Sequence, residues 1–122
     1  MTRTRLNTGR EGEEIACRHL RNQGYVILER NFRCSYGEID IIARQGDVLV
    51  FVEVRSRRSA HFGEPLDSVG PVKQRKLSRI ALCYIQKHRL EDRQARFDVL
   101  GVKIRPEGYT IELVRDAFDL IV

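Results

Sequence analysis

Two short segments that mix acidic and apolar residues constrain this chain most. Residues 37–42 read GEIDII, and residues 51–55 read FVEVR. Because β-branched and aromatic residues favour extended structure, both segments are predicted to be strands. An unpaired carboxylate among apolar neighbours is costly and usually has a cation nearby. The two segments therefore predict a sheet that gathers acidic groups around a positive charge.

The alternation of side chains along a strand decides which of these acids face one another. Residues two apart face the same way, so Glu38 and Asp40 share one face, as do Glu53 and Arg55. If the strands pair antiparallel across the turn at residues 45–47, Asp40 and Glu53 converge near one end of the hairpin. Two carboxylates with a backbone carbonyl and waters suit a hard cation such as Mg²⁺. The alternative is that each acid pairs with an arginine.

The length and composition predict one cytoplasmic domain. A chain of 122 residues is long enough to bury a core without disulfides. It has no apolar run of the ~20 residues needed to cross a bilayer and no signal-peptide hydrophobic segment, so we expect no membrane association. Its three cysteines lack a C-x-x-C spacing, and we expect reduced thiols rather than a zinc site.

The basic residues are concentrated in the middle of the chain. The net charge is +5, and residues 55–105 contain 13 basic and 5 acidic residues. Such an excess is the footprint of a protein that binds a phosphate backbone. A solvated basic helix face is the alternative. The cluster comprises Arg55, Arg57, Arg58, Lys73, Arg75, Lys76 and Arg79.

Periodicity and turn residues predict the order α-β-β-β-α-β-β. Thr8 and Glu11 fit a capping box, so the first helix should begin near Gly9 and carry Glu13 at the margin of its apolar stripe. Pro71 favours the start of a second helix, with Lys73 on its apolar side. The predicted helices span residues 9–22 and 71–88, and His88 lies on the inner face of the second. A polar loop is predicted at residues 56–70. The predicted strands span residues 25–31, 38–43, 48–55, 97–104 and 109–114.

An acid on the first helix, Asp in the second strand and Glu-x-basic in the third resemble the restriction-endonuclease-like fold. That fold is α/β, with a central mixed β-sheet flanked by helices. A closer resemblance is to the YraN-like family of small, largely uncharacterised proteins. Within the wider superfamily, the arrangement is similar to that of archaeal Holliday-junction resolvases, which act on branched DNA as homodimers. The matching residues are Gly9, Gly12, Glu13, Ala16, Asn31, Arg33, residues 37–40 and 51–54, Gly63, Pro65 and Lys73.

The resemblance implies a site for Mg²⁺ or Mn²⁺ and a DNA partner. The implied metal ligands are Glu13, Asp40, Glu53 and the backbone carbonyl of Val54. The nuclease pattern has Lys where this chain has Arg55, a group that stays protonated but can stabilise developing phosphate charge. Lys73 is a candidate for the missing amine. The expected catalytic residues are Asp40, Glu53, Arg55, Glu13 and Lys73, and the expected DNA-binding residues are Arg57, Arg58, Arg75, Lys76 and Arg79.

Three functions remain open from the sequence. The first is a metal-dependent endonuclease that acts on branched or single-stranded DNA, with a homodimer as the assembly that the resemblance implies. The second is a nucleic-acid-binding protein whose nuclease site is degenerate, because Arg55 replaces the lysine. The third is an assembly role in which the acids only pair with arginines.

Overall fold

The computed structural model describes residues 2–58 and 69–120, with side chains from Thr8 onward. Its elements follow the predicted order α-β-β-β-α-β-β. Most of the predicted loop at 56–70, including Gly63 and Pro65, lies outside the described residues. The elements are α1 (Thr2–Asn22), β1 (Val26–Cys34), β2 (Gly37–Gln45), β3 (Val48–Arg57), α2 (Pro71–Lys87), β4 (Ala95–Arg105) and β5 (Gly108–Phe118).

The five strands form one mixed sheet in the order β1-β2-β3-β4-β5. Neighbouring strands are antiparallel except β3 and β4, which are parallel. Parallel neighbours require a crossover connection, and α2 lies in the one that joins this pair. The predicted mixed α/β sheet flanked by helices is confirmed.

The helices cover opposite faces of the sheet, because each packs on a separate apolar cluster. Leu77, Ile80 and Tyr84 of α2 pack with Phe51 and Phe97 on one face. On the other face the α1 residues Ile15, Ala16 and Leu20 pack with Val50, Val52 and Leu100. Burial of each large apolar side chain stabilises the fold by about 1.5–3 kcal/mol. Neither helix of the described chain combines the length and hydropathy that a bilayer crossing requires.

The start of α1 differs from the prediction. The helix begins at Thr2 rather than near Gly9, so Thr8 lies inside it and the predicted capping box is wrong. Nothing between residues 2 and 8 breaks a helix, and the Thr8 hydroxyl instead accepts a hydrogen bond of 2.7 Å from Arg58 Nε. The helix ends at Asn22 as predicted, ahead of Gly24, whose φ of +88° favours glycine.

Two further boundaries depend on tertiary contacts. β5 continues to Phe118 rather than residue 114, because the Phe118 ring stacks on Phe97 with centroids 4.5 Å apart. His88, predicted on the inner face of α2, contacts Tyr84 as predicted, with ring centroids 4.2 Å apart, but it follows the helix as its exposed C-terminal cap. The three cysteines are free, as predicted.

α1 approaches β3 most closely at Gly12. A Cβ atom added to this glycine would lie 1.7 Å from Ser56 Oγ and 2.6 Å from Ser56 Cβ. Only glycine therefore allows the helix to sit at this distance from the strand. The contact sets the height of α1 above the end of β3 that carries Glu53 and Arg55.

Candidate active site

Asp40 and Glu53 lie where the pairing of β2 with β3 stops. The ladder runs from Gln45 opposite Val48 to Ile41 opposite Val52, and one further step in the same register sets Asp40 opposite Glu53. Beyond that point the Val54 N–H donates to Asp40 Oδ2 at 2.8 Å. A side-chain carboxylate thus satisfies a backbone donor where the ladder ends.

Strand β2 also loses its regular alternation at Asp40. Ile41 packs on the α1 side of the sheet, whereas Ile39 packs with Ile42 on the α2 side. Residues 39 and 41 would share a face in a regular strand. On β1, Asn31 is opposite Asp40 by register and has a left-handed φ of +55°. The distortion places Asp40 between the two faces, whereas Glu38 forms a surface ion pair with Arg33 at 2.5 Å.

The strand register sets the Asp40 and Glu53 carboxyl groups opposite each other, and the two groups interact. Burial, followed by the charge of Glu53, raises the pKa of Asp40 from 3.8 to about 8, and the Val54 N–H only partly opposes this rise. Glu13 adds a smaller effect in the same direction. At neutral pH Asp40 therefore carries the proton that joins the two groups.

Glu53 is buried, with 7% of its surface exposed, and its strongest partner is a lysine. Lys73 Nζ of α2 lies 2.6 Å from Glu53 Oε2, and Arg55 Nη1 lies 3.4 Å from the same oxygen. The predicted same-face pair of Glu53 and Arg55 is confirmed. Within residues 2–58 and 69–120 Asp40 forms no ion pair with lysine or arginine. The arginine-pairing alternative therefore does not describe Asp40 there.

Arg55 contributes an unsatisfied donor to the same cluster. Its Nε atom is buried and has no hydrogen-bond partner among the described residues. A buried donor without a partner costs about 1–3 kcal/mol. An oxygen ligand bound beside Glu53 would satisfy it.

Glu13 approaches from the opposite face of the sheet and is held by β1. Its Oε1 atom accepts hydrogen bonds from Arg30 Nε at 3.2 Å, Arg30 Nη2 at 3.1 Å and Asn31 Nδ2 at 3.0 Å.

In the described part of the chain, no three His, Cys, Asp or Glu side chains are grouped closely enough to hold a metal ion. The structure thus brings together Asp40, Glu53, Arg55 and Lys73, while Glu13 stays with Arg30. The sequence analysis did not identify Arg30 as the partner of Glu13, because the sequence around a single basic residue in a strand does not indicate which acid it contacts.

The family of the chain is shown by its sequence relatives. The model of the uncharacterised protein family UPF0102 matches residues 12–102. The chain belongs to this family. The match confirms the YraN-like resemblance and includes Glu13, Asp40, Glu53 and Lys73.

Individual UPF0102 proteins match over nearly the full chain. The UPF0102 protein of Syntrophus aciditrophicus is 56% identical over 115 residues, which is 94% of this chain and 91% of the relative. That of Pelobacter propionicus is 50% identical, covering 93% of this chain and 84% of the relative. That of Syntrophotalea carbinolica is 46% identical, covering 98% of both.

The predicted DNA-binding residues of this UPF0102 protein fall into two groups. Arg75, Lys76 and Arg79 are exposed along α2. Arg57 and Arg58 lie at the end of β3, where Arg57 Nη1 donates to the Ser56 carbonyl at 2.9 Å and Arg58 Nη2 pairs with Glu11 at 2.5 Å. Both groups are exposed, and the β3 group also makes these hydrogen bonds and the ion pair.

A buried aspartate in another strand of this UPF0102 chain was missed by the sequence analysis. Asp98 is fully buried, and it accepts hydrogen bonds from Tyr25 Oη at 2.8 Å, Arg96 Nε at 3.0 Å and the Asp116 N–H at 3.0 Å. Burial, and then the bond to Asp98, raises the pKa of Tyr25. Because Asp98 is neutralised by Arg96, it acts as a structural anchor. Asp40 has no such partner among the described residues.

Proposed function

We propose that the protein is a DNA endonuclease that depends on Mg²⁺ or Mn²⁺ bound at Asp40 and Glu53. The observation that carries the proposal is that β2 and β3 bring these two carboxyl groups together, where burial and then the charge of Glu53 raise the pKa of Asp40 to about 8. A divalent cation would replace the shared proton and relieve the repulsion between the groups. Fold resemblance alone would not support an activity, because function depends on the site.

The donor set fits a hard cation. Asp40 and Glu53 offer carboxylate oxygens, and Val54 offers a backbone carbonyl beside its N–H bond to Asp40. Mg²⁺ and Mn²⁺ prefer such oxygen ligands and complete their coordination with water. Among the described residues the three hydrogen bonds that hold Glu13 at β1 use Oε1, so a ligand role for Glu13 would use Oε2 and would require its side chain to move toward the pair. When bound, the metal would lower the pKa of a water and neutralise the scissile phosphate.

Lys73 and Arg55 supply the positive charges around the pair. Lys73 holds Glu53 in place through the 2.6 Å contact and brings an amine to the cluster from α2. An amine can hold or release a proton near the attacking water, which a guanidinium does not do. Arg55 lies beside Glu53 and carries an unpaired, buried Nε donor, which can bind a phosphate oxygen as negative charge develops. Lys73 would thus perform the role for which the nuclease pattern uses a lysine at position 55.

Cleavage of labelled oligonucleotides tests the proposal. We expect the wild-type protein with Mn²⁺ to cut a branched, flapped or single-stranded substrate, and EDTA to abolish cutting. The Asp40→Asn variant should lose about 100-fold or more of the rate, because it loses a charged ligand. Asp47→Asn is the matched control, since Asp47 is exposed in the β2–β3 turn, and it should cut at the wild-type rate. Failure of the wild-type protein on every substrate with both metals would overturn the proposal.

A binding protein with a degenerate nuclease site is the second candidate, and Arg55 at the lysine position is the observation that favours it. In that case DNA binding persists in EDTA and in the Asp40→Asn variant, and it falls steeply with salt. Cleavage that appears only in an Arg55→Lys variant would select this candidate.

A further inference from the structure

Tyr36 is a large aromatic residue in a tight turn beside the candidate site. Cys34 pairs with Gly37 across the β1–β2 hairpin, so Ser35 and Tyr36 form the turn itself. Such turns usually carry glycine or small polar residues. Tyr36 is instead 49% exposed, and half of a tyrosine surface is thus open to solvent.

Basic side chains of α2 lie against this turn. The Arg79 guanidinium carbon lies 5.8 Å from the centroid of the Tyr36 ring. Lys76 approaches the next residue so closely that a Cβ on Gly37 would lie 2.8 Å from Lys76 Cε. Arg79 and Lys76 are both exposed. The aromatic ring and the two cations therefore form one surface, which we call the Tyr36 platform.

The Tyr36 platform continues into the candidate site along two elements. Lys73, Lys76 and Arg79 are spaced three residues apart, so each neighbours the next on the surface of α2, over about 9 Å at 1.5 Å per residue. Lys73 contacts Glu53. Along β2, three residues separate Gly37 from Asp40, or about 10 Å. At ~3.4 Å per stacked nucleotide, the platform lies about two or three nucleotides from the carboxylates.

We infer that Tyr36 stacks on an unpaired base of a DNA strand whose phosphates follow Lys76 and Arg79. This inference rests on the proposed function and names its substrate class: DNA with a single-stranded segment next to the cut. A free base offers its π-face to an aromatic ring, whereas a base inside a duplex is already stacked. The cations attract the backbone of either form, so the ring supplies the preference for unpaired DNA.

Binding to two matched oligonucleotides tests the Tyr36 platform. One is a continuous duplex, and the other is the same duplex with a three-nucleotide single-stranded gap. Affinities are measured without metal in the Asp40→Asn background, which prevents cutting. We expect Tyr36→Ala to weaken binding of the gapped DNA about 5- to 100-fold and to leave duplex binding within about twofold. Tyr36→Phe should keep wild-type affinity, since stacking needs the ring and not the hydroxyl.

Two further variants separate stacking from other causes. Tyr36→Leu keeps an apolar side chain without a ring and should lose as much affinity as Tyr36→Ala. Tyr109→Ala is the matched control, because Tyr109 is 50% exposed beside the β4–β5 turn, at the far side of the sheet from α2. It should leave both affinities unchanged. A 2-aminopurine placed in the gap should be quenched by the wild-type platform and not by Tyr36→Ala.

The inference is overturned if Tyr36→Ala weakens the binding of both DNAs equally or of neither. It is also overturned if Tyr36→Phe loses as much affinity for the gapped DNA as Tyr36→Ala. Its failure is distinct from that of the proposed function. Cleavage without any effect of Tyr36 would remove the stacking role and leave the endonuclease. A Tyr36-dependent preference for gapped DNA in a protein that cuts nothing would remove the endonuclease and leave the platform.

Discussion

At the residue scale, two aspartates in apolar strands show that partners decide what an acid in a sheet does. Asp98 is fully buried, yet Arg96, Tyr25 and a backbone N–H satisfy its oxygens. Asp40 receives one backbone N–H and faces another carboxyl group. The first arrangement stabilises the fold, whereas the second stores repulsion that a cation would relieve.

The raised pKa of Asp40 predicts how stability depends on pH. The folded value is about 8 and the unfolded value is near 3.9, so the folded state holds the proton more tightly. The tighter proton binding adds to the free energy of unfolding. This stabilisation is fully present below about pH 4 and is lost as the pH rises to about 8, by at most ~1.4 kcal/mol per pH unit. The Asp40→Asn variant has no ionisable group at this position, so it does not lose this stabilisation. The free energy of unfolding of the variant minus that of the wild type should therefore increase between about pH 5 and pH 8.

Urea unfolding without metal, at several pH values, measures this difference. Asp47→Asn again serves as the control, because its exposed position should give a difference from wild type that does not change with pH. An Asp40→Asn difference as flat as that of Asp47→Asn would contradict the raised pKa.

At the element scale, the placement of α1 depends on the absence of a side chain at Gly12. Gly12→Ala puts a methyl group on Ser56, where a Cβ would lie 1.7 Å from Oγ. We expect the helix to shift and the free energy of unfolding to fall by about 1–3 kcal/mol, as in overpacked cores. Gly9→Ala is the matched control in the same helix, because no atom lies within 4 Å of an added Cβ.

Thermal and urea unfolding of the two variants measure this effect. Gly9→Ala should be neutral or stabilising by up to about 1 kcal/mol, since alanine is the better helix former. If Gly12→Ala is as stable as Gly9→Ala, the close contact between α1 and β3 is wrong.

At the scale of the whole molecule, one end of the sheet collects groups from four elements. Asp40 comes from β2, Glu53 from β3 and Lys73 from α2, and Glu13 of α1 acts on Asp40 through its charge. The exposed cations of α2 lie beside the same end. Folding therefore places the α2 part of the basic excess near the acids, as the proposed binding and cutting of a phosphate backbone would require.

The sequence predicted the elements and the central pair because both depend on local patterns. The alternation of side chains along β3 puts Glu53 on the same face as Phe51. The turn at Gly46 sets the register of β2 and β3, which places Glu53 opposite Asp40. Contacts distant in sequence were not predictable in this way. The Asp98 network depends on a register shift in β4 and on the left-handed Asp116. The early start of α1 places Thr8 inside the helix, where its hydroxyl accepts a hydrogen bond from Arg58.

A crystal soaked in Mn²⁺ at about pH 9, where Asp40 is ionised, tests most directly whether the pair is a metal centre. We expect an anomalous peak between the Asp40 and Glu53 carboxylates, about 2–2.5 Å from an oxygen of each. The same soak of an Asp40→Asn crystal should lose that peak. If saturating Mn²⁺ gives no anomalous density at the pair, and Lys73 remains the cation in contact with Glu53, the result would contradict a metal-dependent nuclease.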